Sequence, residues 1–153
     1  MIEPLKNVGK QYPLNMKEKF IKYYMDIARR TADLSYAKKL KVGSIIVKED
    51  RIISLGYNGT PANFDNCAEY MLEDGSLKTK DEVIHAEMNA LAKLAKSPES
   101  GIGAFMFITH SPCIQCSKGI YSSGISRIYY EEEYRDPAGI DFLNKCGLEI
   151  IKV

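Results

Sequence analysis

Apolar side chains recur at Phe20, Tyr24, Ile27, Ala28, Thr31 and Leu34, a spacing that predicts a helix over roughly 16–35 with one core-facing side. Asn15 and Glu18 stand three positions apart, as in a capping box at its start. Ahead of them, residues 1–14 carry Pro4, Gly9 and Pro13 and predict an irregular lead-in. Val42 to Val47 is a continuous apolar, β-branched run, the mark of a strand buried on both faces. Glu49-Asp50 predicts a turn, and Arg51 to Tyr57 a strand that pairs back as a hairpin.

Residues 58–82 show no clear period. Asn58-Gly59-Thr60-Pro61 is turn chemistry, and Asn66, Asp74, Gly75 and Ser76 extend it into a loop of about 25 residues. Loops of that length inside a compact domain usually carry function. A helix follows over roughly 84–96, with Met88, Leu91, Ala92 and Ala95 expected on the buried face and Ser97-Pro98 ending it. Ala104 to Thr109 predicts a third, fully apolar strand. Ser111 is expected to cap the next helix with Pro112 at its first position; that helix runs to about Ser123, where Gly124 stops it. Ile125 to Glu131 predicts a fourth strand. Asp136-Pro137 opens a short helix that ends at Cys146-Gly147, and Leu148 to Ile151 is the last strand. The succession α-β-β-α-β-α-β-α-β asks for an α/β fold with parallel neighbours and a sheet covered on both faces. With no repeat, low-complexity tract or linker, residues 1–153 read as one domain.

Composition narrows the partners. The chain is 45% apolar and 27% charged, with a formal net charge of +1. No long-range field draws it to a large nucleic acid or an acidic membrane, and no apolar run approaches the roughly 20 residues of a membrane span. The start Met1-Ile2-Glu3-Pro4 shows no secretory signal, so the expected location is the cytoplasm, or a host's cytoplasm if the chain is viral.

Four cysteines, Cys67, Cys113, Cys116 and Cys146, then change the picture. Cys113 and Cys116 are too close to staple much chain, and in a reducing compartment a close pair reads as a metal or redox site. A thioredoxin-like redox pair would follow a first strand. Here the pair comes late, after the distant His85-Ala86-Glu87. Zinc favours nitrogen and sulfur donors, and three protein donors with one open position make a catalytic site. His85, Cys113 and Cys116 supply three, with both sulfurs at the start of one helix. Glu87 is the extra group: a hydrolytic zinc needs a base to move the proton of its water, whereas a structural zinc has no use for one. His-x-Glu followed by Pro-Cys-x-x-Cys is the signature of zinc deaminases acting on cytosine or adenine. A purely structural zinc is the competing reading. Cys146 reads as a small buried side chain. Cys67 could join a second metal site but lacks further Cys or His partners nearby. His110 reads as a structural or pocket-lining residue rather than a ligand.

Lys41-Val42-Gly43, Gly56-Tyr57-Asn58-Gly59-Thr60-Pro61, Asp65-Asn66-Cys67, His85-Ala86-Glu87-Met88-Asn89-Ala90 and Pro112-Cys113-Ile114-Gln115-Cys116 occur in that order, with Gly124-Ile125 and Tyr134-Arg135 behind them. Over roughly residues 18–151 the chain resembles the deoxycytidylate (dCMP) deaminase family. The resemblance implies a three-layer α/β/α cytidine deaminase-like fold with a five-stranded mixed sheet. It implies zinc-dependent hydrolysis of dCMP to dUMP and ammonia, on the route to thymidylate. It also implies a homo-oligomer, a hexamer or dimer, activated by dCTP and inhibited by dTTP. Glu87 would serve as base and then acid at the ring. Asn58 would hold the sugar hydroxyl, and Lys39, Tyr134 and Ser111 would serve the phosphate. Arg135 is implied at a nucleotide phosphate in a regulatory site, and Lys96 stands where some relatives use Arg to couple regulation. Two other readings stay open at this point: the same chemistry on another cytosine or adenine nucleoside or base, and a catalytically silent nucleotide-binding module.

Overall fold

The structure is a computed structural model, and it describes residues 16–153. The expected lead-in over 1–14, and Asn15 of the expected capping box, lie outside the described residues. Helix α1 (Glu18–Ala32) is followed by the hairpin β1 (Gly43–Lys48) and β2 (Arg51–Tyr57), then a second hairpin, β3 (Glu69–Met71) and β4 (Leu77–Thr79). The chain continues through α2 (Ala86–Ala95), β5 (Phe105–His110), α3 (Ile114–Ser122), β6 (Arg127–Glu132), α4 (Ala138–Lys145) and β7 (Glu149–Lys152).

Five strands form one sheet in the order β2-β1-β5-β6-β7. β1 runs antiparallel to both β2 and β5, while β5, β6 and β7 are parallel. β2 therefore points the same way as β5 and β6, and the chain leaves all three at one edge of the sheet; the segment entering β1 lies at that edge too. The alternation of strand side chains divides the core into two layers. Ile45, Val47, Phe107 and Tyr129 pack against Tyr24, Met25 and Ala28 of α1. Ile46, Met106, Ile108 and Ile128 face the other way, against Ala90, Leu91 and Leu94 of α2, Ile120 of α3 and Leu143 of α4. This is the expected three-layer α/β/α fold with a mixed sheet.

Several expectations need correction. The cap of α1 is Lys17, with no side-chain hydrogen bond, so the helix starts two residues past the expected box. Phe20 and Leu34 are exposed, and Met25 is buried in their place. On α2 the buried face is Ala86, Glu87, Ala90, Leu91 and Leu94, while Met88 is 40% exposed and Ala92 and Ala95 are exposed. The stripe is rotated by one residue because the face turned inward carries a carboxylate, which hydrophobic spacing cannot detect. Ser111 does not cap α3: the cap is Cys113, whose side chain accepts from the Cys116 N–H. The long stretch 58–82 is not all loop, since Asp74-Gly75 turns the chain between β3 and β4. A short Asp-Gly hairpin was the missed signal. The turn at Glu49-Asp50 is as expected, with both residues at positive φ, 51° and 59°.

Two glycines let the layers close around the future site. A Cβ on Gly56 would strike the Ala86 carbonyl and the Ala90 N–H of α2. A Cβ on Gly139 of α4 would strike the Pro112 carbonyl, just ahead of α3. Both backbones approach closer than any side chain allows. Gly56→Ala should therefore push α2 off the sheet and cost about 2 kcal/mol, read as a drop of several degrees in thermal melting. An unchanged melting temperature would contradict this packing.

Candidate metal centre and cleft

Two helix starts meet at the sheet edge described above. His85 is the cap of α2, in extended conformation (φ −66°, ψ 153°), and Cys113 is the cap of α3 (φ −70°, ψ 169°). Each residue stands half outside its helix, so its side chain projects past the helix end rather than along the flank. Cys116, one turn into α3, points back to the same place. His85 Nδ1 lies 3.5 Å from Cys113 Sγ and 3.4 Å from Cys116 Sγ. All three donor atoms lie within 4.8 Å of one another, and they make the one such candidate group among the described residues. Two ligands of a tetrahedral zinc, with Zn–S of about 2.3 Å and Zn–N of about 2.0 Å, stand roughly 3.5 Å apart. The donor set and its spacing fit a single zinc ion.

Electrostatics point the same way. The Cys113 thiol is pulled down to about 3, chiefly by its hydrogen bonds with Cys116 and His85. Cys116 is pushed up by the hydrogen bond to Cys113, by burial and by the charge of Glu87. The protein alone thus holds one thiolate readily and resists the second, which a divalent cation would release. His85 is raised, mainly by its hydrogen bond with Cys113.

Glu87 lies in the first turn of α2 and is only 4% exposed. Burial is the largest influence on it and raises its pKa; hydrogen bonds to its own backbone and to Cys116, together with the nearby His85, pull it the other way. A buried carboxylate beside a thiol of the candidate metal group would be placed to exchange protons with water on a cation held there.

A cleft of about 350 Å³ opens over this point. Its wall includes His85, Glu87 and Cys113 together with Lys39, Asn58, Ser111, Tyr134 and Arg135. His110 also lines it, as one of its two expected readings had it, and makes a 2.9 Å contact through Nδ1 with Thr109 Oγ1. Burial lowers the His110 pKa, against the nearby Glu132 and Glu131. Ala68, Glu69 and Thr79 of the β3–β4 region complete the wall.

Not every expected residue is free for the part the resemblance implies. The Asn58 amide is engaged with backbone, accepting from Val42 N at 2.8 Å and donating to Leu40 O at 2.7 Å. Ser111 Oγ accepts from Tyr134 N at 2.6 Å, which fastens the Tyr134–Arg135 loop over the metal helix. Its hydroxyl can still donate. Arg135, expected in a separate regulatory site, shares this cleft. Lys96 is the C-cap of α2, about 15 Å of helix away from the metal centre. Cys67 is exposed and donates to the Glu69 carbonyl at 3.0 Å. Cys146 caps the end of α4 half-buried. Glu69, buried on the cleft wall, is the residue that sequence reasoning missed.

Three soft donors gathered beside a buried carboxylate, at the floor of a cleft, define a metal-assisted hydrolytic site. The chain belongs to the cytidine and deoxycytidylate deaminase family: the model of that family's zinc-binding region matches residues 18–132. The chain is 33% identical to the deoxycytidylate deaminase of Enterobacteria phage T4, over 84% of this chain and 87% of that one. It is 36% identical to ComE operon protein 2 of Bacillus subtilis, over 86% of this chain and 69% of that one. The crystal structure of the dCMP deaminase from the cyanophage S-TIM5, in complex with dCMP and dUMP, matches with a TM-score of 0.85 and 47% identity. That match covers 91% of this chain and 100% of the phage chain. The resemblance read from the motifs is thus borne out. No helix among the described residues is long and apolar enough to cross a membrane.

Zinc should bind at one equivalent per chain and raise the melting temperature. Because Cys116 is held protonated and His85 is raised, binding must expel protons, so zinc affinity should rise with pH. Chelator competition between about pH 6 and 8 checks the sign; Cys116→Ser should weaken binding at least tenfold.

Proposed function

We propose that the protein is a zinc-dependent deaminase that converts dCMP and water to dUMP and ammonia. The observation that carries this reading is the placement of Glu87: buried, two residues past the His85 cap, hydrogen-bonded to Cys116 and on the wall of the cleft. Zinc held by His85, Cys113 and Cys116 would supply Lewis acidity and an activated water. Glu87 accepts a proton from the attacking water and delivers it to ring N3, which makes C4 electrophilic. It then takes the second proton, from the hydroxyl now on C4, and gives it to the departing amino group, so ammonia leaves and a carbonyl remains at C4. One carboxylate serves both transfers, so its raised pKa suits it: burial weakens its hold on charge and lets it keep the proton between steps.

The substrate class draws support from the dCMP deaminases among its relatives and from the donors along the cleft. Lys39, Tyr134, Arg135 and the Ser111 hydroxyl are the groups we assign to the 5′-phosphate. Asn58 shapes the cleft through its clasp on residues 40–42. Supply of dUMP for thymidylate synthesis, a homo-oligomeric state, and control by dCTP and dTTP belong to the same reading and draw their support from the family resemblance. With Arg135 on the cleft wall, we assign it to the substrate phosphate rather than to a separate effector site.

Ammonia release from dCMP, CMP, dCTP and deoxycytidine tests the claim. dCMP should turn over fastest, and equal rates on deoxycytidine would remove the monophosphate from it. Glu87→Gln should keep zinc and lose at least a thousandfold in kcat. Near-normal turnover in that variant would overturn the assignment.

A further inference from the structure

β5 and β6 end side by side at the cleft, with His110 opposite Glu132. The Ser111 N–H donates to the Glu132 carbonyl at 2.8 Å, the last backbone rung between them. One step further the backbones part, and the Ser111 side chain supplies a rung of its own: its Oγ accepts from the Tyr134 N–H at 2.6 Å. Among the described residues, no other backbone group of residues 133–136 takes a hydrogen bond. These residues form a strap between β6 and α4. At its far end Asp136 Oδ1 accepts from Ala138 N at 3.0 Å, and Gly139 packs against the Pro112 carbonyl. Ser111 at one end and Pro112 at the other thus hold the strap beside Cys113.

The strap carries Tyr134 and Arg135 onto the cleft wall, and little else places them. Tyr134 is 45% exposed; Arg135 is exposed and has no ion pair among the described residues. A guanidinium suits a phosphate by its fork of donors, but ordering that must wait for the ligand is subtracted from affinity. Ser111 is itself buried, and the sheet ladder fixes its backbone. We propose that Ser111 is a positioning residue for recognition of the 5′-phosphate: its oxygen sets the strap, and the strap presents Tyr134 and Arg135 to the ligand. The inference rests on the dCMP reading above. It changes the part of Ser111 in that reading, from a direct phosphate donor to the group that orders two others. Residues 111–113 then serve both ends of the nucleotide, with Cys113 at the metal centre and Ser111 on the phosphate side.

Amide exchange reads the clasp without any substrate. The Tyr134 N–H should exchange slowly in the zinc-loaded protein, and Ser111→Ala should speed it at least roughly tenfold while the amides of α3 stay protected. Ser111→Thr keeps the oxygen and should restore protection. Fast exchange in wild type, or no change in Ser111→Ala, overturns the proposal. Turnover reads the consequence. The preference for dCMP over deoxycytidine in kcat/KM should fall by roughly tenfold in Ser111→Ala, mostly through KM, and recover in Ser111→Thr. In a background of Tyr134→Phe with Arg135→Ala the same substitution should change that preference less than about twofold, because the strap has nothing left to present. An equal loss in both backgrounds makes Ser111 an independent phosphate donor, and an equal loss on both substrates makes it merely structural; either overturns the proposal. Should Ser111→Ala fail to fold, Tyr134→Pro against Tyr134→Ala removes the N–H from the other side, and only the proline should add to the loss of preference. Wild type that deaminates neither substrate overturns the functional reading itself, a different outcome from fast exchange at Tyr134.

Discussion

Everything in the site depends on two helix starts being brought to one point. His85 and Cys113 are both caps, so each is the residue at which extended chain turns into helix. The unpaired N–H groups there favour negative charge, and the Cys116 N–H is given directly to Cys113 Sγ. A thiolate that caps its own helix needs no other structural device to orient it. A cation held there would close a ring between α2 and α3, whose donors packing has already brought within about 3.5 Å.

Sheet topology explains why the cleft forms there. Because β1 is antiparallel to both its neighbours, β2, β5 and β6 all discharge their chain at the same edge. Asn58 follows β2, Ser111 to Cys113 follow β5, and Tyr134 and Arg135 follow β6. Lys39 and Leu40 approach β1 at that edge as well. Segments far apart in sequence thus line one cleft. Their cross-links are polar and local: Asn58 to residues 40 and 42, Ser111 to Tyr134, Glu69 to residues 38 and 39. The close contact at Gly56 sets how near α2 sits to the sheet, and that at Gly139 how near α4 sits to the start of α3. The cleft is thus a product of connections between strands, with the sheet itself serving as a rigid base.

The placement of Glu87 sets a buried acid against the stability of α2. A carboxylate on the buried face of a helix costs desolvation, which appears as its raised pKa. Ala86, Ala90, Leu91 and Leu94 on the same face supply the apolar burial that offsets it. The helix is held by its alanines and leucines and can carry one acid inward at its first turn. Helix starts tolerate this best, because the helix dipole is positive there.

The amino-acid sequence by itself determined the succession of elements and the chemistry of the metal centre. Strand runs such as Val42–Val47, and the spacings of His85, Glu87, Cys113 and Cys116, are local properties that translate directly into buried strands and convergent donors. Tertiary structure alone decided which way each side chain faces where polarity and burial conflict. The stripe of α2 was misread because hydrophobic spacing assigns an acid to solvent, while the fold turns Glu87 into the core. Cys113 rather than Ser111 became the cap of α3, since cap choice depends on where the incoming strand releases the chain. Asn58 was legible as a turn residue, but its two backbone partners at residues 40 and 42 come from across the hairpin. Glu69 had no local mark at all: an acid in a loop reads as solvated, and only contact with residues some 30 positions earlier buries it. Local spacing encodes donors and periods; long-range contact assigns each polar group its partner, and no single-sequence pattern carries that pairing.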